Sequence, residues 1–98
     1  MPDIPQLLAA LAEPTRLHAM QIVWRGGEHC VCDLMTALDA TQSRMSRHMA
    51  VLKAAGLVVD RRDAQWVRYR RNPDIPPAII RIVDAALAAL EKPRRRAA

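Results

Sequence analysis

Three residues, Asp39-Ala40-Thr41, separate two stretches of helical periodicity at 31–38 and 42–54, and no other feature of the chain narrows its fold as far. Apolar residues recur in both stretches at three- and four-residue spacing, the pattern of a helix with one buried face. A join this short forces a sharp crossing between the helices, the geometry of a helix-turn-helix. Thr41 suits the N-cap of the second helix, because its hydroxyl can accept a backbone N–H. Gly56 ends that helix, since glycine tolerates the left-handed conformation many helix ends require.

The flanking sequence completes the unit. Leu7, Leu8 and Leu11 predict a first short helix over 3–12. Pro14 opens a second, continued by Leu17, Met20, Val23 and Trp24 and stopped by Gly26-Gly27. After Gly56 the pattern turns to strands: "L-V-V-D" and "W-V-R-Y-R" flank "R-R-D-A-Q", a β-hairpin with a charged tip. Trp66, Arg68 and Arg70 share one face of its second strand, and Val67 and Tyr69 share the other. Ala64 is not the glycine a tight primed turn prefers, which predicts a longer or slightly strained tip. Pro73, Pro76 and Pro77 precede a last helix over 77–91. The expected fold is mainly α with a β-hairpin wing (α+β), a winged helix-turn-helix occupying 1–92 as one domain, with a basic tail at 93–98.

A chain of 98 residues, 51% of them hydrophobic, builds only a thin core. The last helix carries Ile79, Ile80, Val83, Ala86, Leu87 and Leu90, a stripe wider than such a core requires, with small alanines that let a partner helix approach. A homodimer through Leu7, Leu11, Ile79, Ile80, Val83, Leu87 and Leu90 is expected, with Val83→Asp yielding monomers. There is no signal-peptide pattern and no apolar run of membrane-spanning length, so a cytoplasmic protein is expected.

Charge is unevenly spread. Residues 41–71 hold Arg44, Arg47, Lys53, Arg61, Arg62, Arg68, Arg70 and Arg71 against only Asp60 and Asp63, whereas residues 1–40 are net acidic. That asymmetry is the footprint of a surface that neutralises phosphates. Met45, Met49 and Leu52 form the apolar stripe of the second motif helix. Gln42, Ser43, Arg44, Ser46 and Arg47 point elsewhere, and such residues read base edges in a major groove. Arg61, Arg62, Arg68 and Arg70 on the wing suit phosphate or minor-groove contact. A polar solvated face is the plain alternative for any one helix; its place between a tight turn and a basic hairpin favours DNA. Catalytic constellations are missing: no paired acids, no glycine-rich phosphate loop, and no His near Ser or Cys except His29. A winged helix used only for protein contacts would not need so many basic residues.

Both cysteines stand in "E-H-C-V-C-D-L", residues 28–34. In a cytosolic chain such a pair is more often metal-binding or catalytic than a structural disulfide. Three readings compete: a metal or metalloid trap, a redox pair, or two small buried hydrophobes. A disulfide across one intervening residue needs unusual geometry, and helix starts favour thiolates. Residues two apart on a helix point roughly 200° apart. If Cys30 and Cys32 both lay in regular helix, gripping one atom would require unwinding its first turn and would disturb the helix above.

These residues resemble the ArsR/SmtB family of metal-responsive winged-helix repressors. The resemblance runs from about Leu11 to Tyr69 and rests on "L-A-E-P-T-R-L", the cysteine motif, "T-Q-S-R-M-S-R-H-M-A-V-L-K-A-A-G-L-V" and "R-R-D-A-Q-W-V-R-Y-R". It implies a homodimer that binds double-stranded operator DNA and releases it when an inducer binds. Similarity is greatest to the arsenic-responsive branch, whose inducer site has the form C-V-C-D-L-C. Cys30 and Cys32 match its first two positions and Met35, a neutral thioether, its third. The resemblance implies trivalent arsenic, arsenite or methylarsenite, as inducer. The two thiolates are completed by Met35, His29, a small thiol or hydroxide, or suffice alone for a monomethylated arsenical with two exchangeable bonds. Zinc- and cadmium-sensing relatives draw further ligands from an N-terminal cysteine arm or from His and Asp on the last helix. This chain has no cysteine before Cys30 and no histidine after His48. Soft thiolates also suit lead, mercury or antimony, and a thiol redox sensor is the other reading of the pair.

Overall fold

The starts of three helices carry oxygen side-chain caps, of which that by Thr41 was expected. Asp3 accepts the Gln6 N–H at 3.2 Å, Glu13 the Arg16 N–H at 2.8 Å, and Thr41 the Arg44 N–H at 3.3 Å. Each relieves a backbone donor with no partner inside its own helix. The structure, a computed structural model, describes residues 3–91. The helices are α1 (Ile4–Leu11), α2 (Pro14–Trp24), α3 (Val31–Leu38), α4 (Gln42–Ala54) and α5 (Pro77–Glu91). The strands are β1 (His29–Cys30), β2 (Val58–Asp63) and β3 (Trp66–Arg71). Asp39 closes α3 in the left-handed conformation, φ 53°, and Ala40 returns its N–H to the Met35 carbonyl at 3.1 Å. This is the sharp turn of the helix-turn-helix. The expected tail at 93–98 lies outside the described residues.

The sheet is antiparallel in the order β1-β3-β2. Strands β2 and β3 pair from Val58↔Arg71 to Asp63↔Trp66, leaving only Ala64 and Gln65 to turn the chain. The tip is therefore tight rather than long. Ala64 takes φ +56°, alone positive in the turn, as at the first central position of a II′ turn. A Cβ in that region costs energy that glycine does not incur. Ala64→Gly should relieve about 1–2 kcal/mol of left-handed strain against about 0.4–1 kcal/mol of added unfolded-chain entropy, a net gain of about 0.5–1 kcal/mol read as a thermal midpoint about 2–8 °C higher. An unchanged or lower midpoint would show that the turn carries no strain.

Strand β1 was not anticipated. Two residues carry no period to read, yet His29 pairs with Tyr69 and Cys30 with Arg68, stitching the cysteine segment to the wing.

The core gathers Leu7, Met20, Val23, Leu34, Met45, Met49, Leu52, Leu57, Val58 and Val83 from the helices and the base of the wing. Arg71 lies over the Trp24 ring at 3.7 Å and the indole N–H donates to Asp84 at 2.6 Å, fastening β3 and α5 to α2. Two expectations need correction. Leu8 does not share the buried face of α1; it is exposed, while Leu7 and Leu11 are buried, because one helical step rotates it by about 100°. Of the residues expected at a dimer interface, Leu7, Leu11, Ile79, Val83 and Leu87 are buried inside a single chain. The wide stripe of α5 thus serves the protomer's own core first. Ile80 and Leu90, with Ile82, remain half-buried against it, and Ile4 and Leu8 of α1 are exposed. Among the described residues no helix is long and apolar enough to cross a membrane.

Candidate functional site

Helix α4 turns Met45, Met49 and Leu52 inward and leaves Gln42, Ser43, Arg44 and Arg47 exposed, with Ser46 half-buried. Neither the Arg44 nor the Arg47 side chain makes a hydrogen bond or ion pair among the described residues. Their guanidinium groups are presented to solvent from the helix after the turn. The helix is held from behind by a network that the sequence did not reveal. His48 Nδ1 lies 3.2 Å from Arg16 Nη1 and 3.8 Å from the Glu13 carboxylate. Arg16 Nε in turn donates to the Ala10 carbonyl at 2.7 Å. His48 is thus a packing residue that registers α4 against the α1–α2 junction.

The wing arginines divide into two kinds. Arg61 forks onto Glu28, with Nε and Nη2 donating at 2.6 and 2.7 Å, and Arg68 Nε donates to Asp63 at 2.7 Å. The hydrogen bond from Arg61, reinforced by the charges of Arg61, Arg68 and Arg70, holds the Glu28 carboxyl below the usual carboxylate range. Arg68 does the same for Asp63. Arg62 and Arg70 are exposed, and their side chains make no hydrogen bond or ion pair among the described residues.

Cys30 ends β1 and caps α3 with extended backbone, φ −64° and ψ 145°, while Cys32 stands in the first turn of the helix. The condition under which binding would require unwinding, both cysteines in regular helix, is therefore not met. With the helix beginning only after Cys30, the Cα atoms are 5.1 Å apart and the two sulfurs meet, joined as a disulfide. That separation lies within the ordinary disulfide range, so no unwinding is needed to bring both sulfurs to one atom. Cys30 is buried and Cys32 half-buried. Cys30 Sγ accepts the Cys32 N–H at 3.2 Å and the Asp33 carboxylate accepts the Cys30 N–H at 3.3 Å, a capping box built on sulfur. Met35, three residues beyond Cys32, shares its side of α3 and packs against the core. His29 alternates to the opposite strand face from Cys30, and its Nε2 lies 2.9 Å from the Gly26 carbonyl. Among the described residues no three of His, Cys, Asp or Glu come together to hold a metal.

Residues 13–59 match the profile of bacterial regulatory proteins of the arsR family. Over 81 residues the chain is 47% identical to the arsenical resistance operon repressor of Escherichia coli (strain K12), covering 83% of this chain and 69% of that protein. The chain belongs to the arsR family. Among solved structures, HlyU from Vibrio cholerae N16961 superposes with a TM-score of 0.76 at 27% identity, covering 91% of this chain and 92% of its own. The AntR antimony-specific transcriptional repressor superposes with a TM-score of 0.72 at 25% identity, covering 90% and 77%. The winged helix-turn-helix is therefore that of the arsR family, and the chain is a transcriptional regulator and not an enzyme.

Proposed function

We propose that this arsR-family protein is a cytoplasmic, homodimeric repressor that binds double-stranded operator DNA and lets go when trivalent arsenic binds Cys30 and Cys32. The observation that carries the reading is the convergence of the two sulfurs at the N-cap of α3. The names of its relatives, an arsenical resistance repressor and an antimony-specific one, point to the same class of inducer. With both thiols reduced, methylarsenite forms two As–S bonds, each Cys S–H proton leaving with an arsenic hydroxide as water. Arsenite does the same and retains a third position for hydroxide, a small thiol or Met35. His29, turned to Gly26, is the weaker candidate.

Two elements carry the event toward DNA. Helix α3 packs against α4, and β1 pairs with β3 of the wing. Arsenic at Cys30 displaces the sulfur that caps α3, so the capping box and the β1 end shift together. A bias of about 1–3 kcal/mol between the two states weakens DNA binding roughly 5- to 150-fold.

Fluorescence anisotropy on operator-containing DNA tests this. Methylarsenite or arsenite should release the wild type, and Cys30→Ser/Cys32→Ser should bind DNA as tightly but stay bound. Serine preserves the N-cap, because its hydroxyl accepts the same backbone N–H. Release of the double variant by arsenical would remove the thiols from the mechanism.

The joined sulfurs favour a second reading, a thiol switch in which hydrogen peroxide takes two electrons and two protons from the pair, giving the disulfide and two waters. Release by peroxide, reversed by a thiol reductant, with no response to arsenicals, would select it.

A further inference from the structure

We propose that Glu28 is a built-in competitor for DNA phosphate, occupying the guanidinium fork of wing Arg61 that DNA would otherwise engage. The inference rests on the operator-binding reading above. Arg61 gives Glu28 two parallel N–H donors, Nε and Nη2, the pair of donors that a phosphate takes in bidentate form. The two side chains remain 55% and 30% exposed, so the pair is reachable from solvent and can exchange. Exposed pairs of this kind are individually weak, which makes this one displaceable.

The surroundings extend the argument from one pair to a face. Arg61 stands opposite Arg68 across β2 and β3, and Arg70, two residues on, shares the Arg68 face. The charges of Arg61, Arg68 and Arg70 all act on Glu28. Its carboxylate therefore sits within the field that would attract phosphate and subtracts from it. Asp63 treats Arg68 similarly from within the hairpin. Glu28 differs in origin: it belongs to the segment leading into β1 and Cys30, not to the wing. The competitor is mounted on the thiol-bearing segment, whereas the arginine it occupies is mounted on the DNA-facing one.

A purely structural pin predicts the opposite sign. If the pair only orients the wing, breaking it loosens a DNA contact and weakens binding. The test is duplex DNA affinity of Glu28→Gln against wild type across a salt series, with the same change repeated in an Arg61→Gln background. Competition predicts binding about three-fold tighter near 0.1 M salt, and a plot of log K against log salt steeper by about 0.9, one phosphate. Both gains should vanish with Arg61→Gln present. Unchanged or weaker binding with the same slope overturns the proposal, as does a gain that survives Arg61→Gln. Failure of the wild type to bind duplex DNA at low salt would overturn the operator-binding reading itself, and this proposal with it. Matching thermal melts of Glu28→Gln and wild type ensure that the comparison is between folded proteins.

Discussion

Val83→Asp should unfold the chain and not merely split a dimer. Val83 is fully buried in the core of one protomer, and no buried polar or charged residue is found among the described residues to receive a carboxylate. A buried, unpaired ionised carboxylate costs several kcal/mol even after the protein relaxes around it. Domains typically have only about 5–15 kcal/mol in reserve, and a chain this short sits toward the lower end. Far-UV circular dichroism should show loss of the cooperative melt. A near-native melt with a sedimentation shift to monomer would instead place Val83 at an interface. The informative dimer variant is Leu90→Asp, at a half-buried position on α5. It should keep a cooperative melt, sediment as a monomer and bind DNA more weakly, because each half-site would then be held by a separate molecule.

That contrast shows where sequence reasoning works on this chain and where it stops. Helix limits were legible because specific residues enforce them: Pro14 opens α2, Gly26 and Gly27 follow its end with φ of 108° and 77°, and Gly56 follows α4 with φ 82°. The turn at Asp39-Ala40-Thr41 was legible from length alone. The apolar stripe of α5 announced burial but not against what. Residues that fill a protomer's own core and residues that await a partner are chemically the same, and only the packing around Val83 and Leu90 separates them. Strand β1 was invisible because its pairing with β3 is a long-range contact that two residues cannot encode. Missing it changed the chemistry inferred for the cysteines, since Cys30 in a strand meets Cys32 in a way that two helical cysteines do not. Likewise the wing arginines looked equivalent in sequence. Glu28 lies 33 positions from Arg61, and only the fold shows which arginine it occupies.

The other large effect should come from Arg44→Ala/Arg47→Ala. Both side chains are exposed on α4 without hydrogen-bond or ion-pair partners among the described residues, and alanine is a good helix former, so the fold should be untouched. A bidentate arginine–guanine contact is worth about 1–3 kcal/mol, so the pair together should lose on the order of 100-fold in operator affinity. The salt series separates the two roles an arginine can play. A base-reading arginine costs affinity for the operator more than for random duplex, whereas a phosphate-binding one weakens both and flattens the salt slope by about 0.9. Arg61→Ala should cost far less, because it removes a phosphate ligand that Glu28 already engages. Arg62→Ala should fall between them, since its guanidinium is exposed and makes no hydrogen bond or ion pair among the described residues. Operator binding by the Arg44/Arg47 double variant within about two-fold of wild type would take the reading function away from α4. An Arg61→Ala loss as large as that of the double variant would instead move the main contact to the wing, and would mean that DNA displaces Glu28 completely.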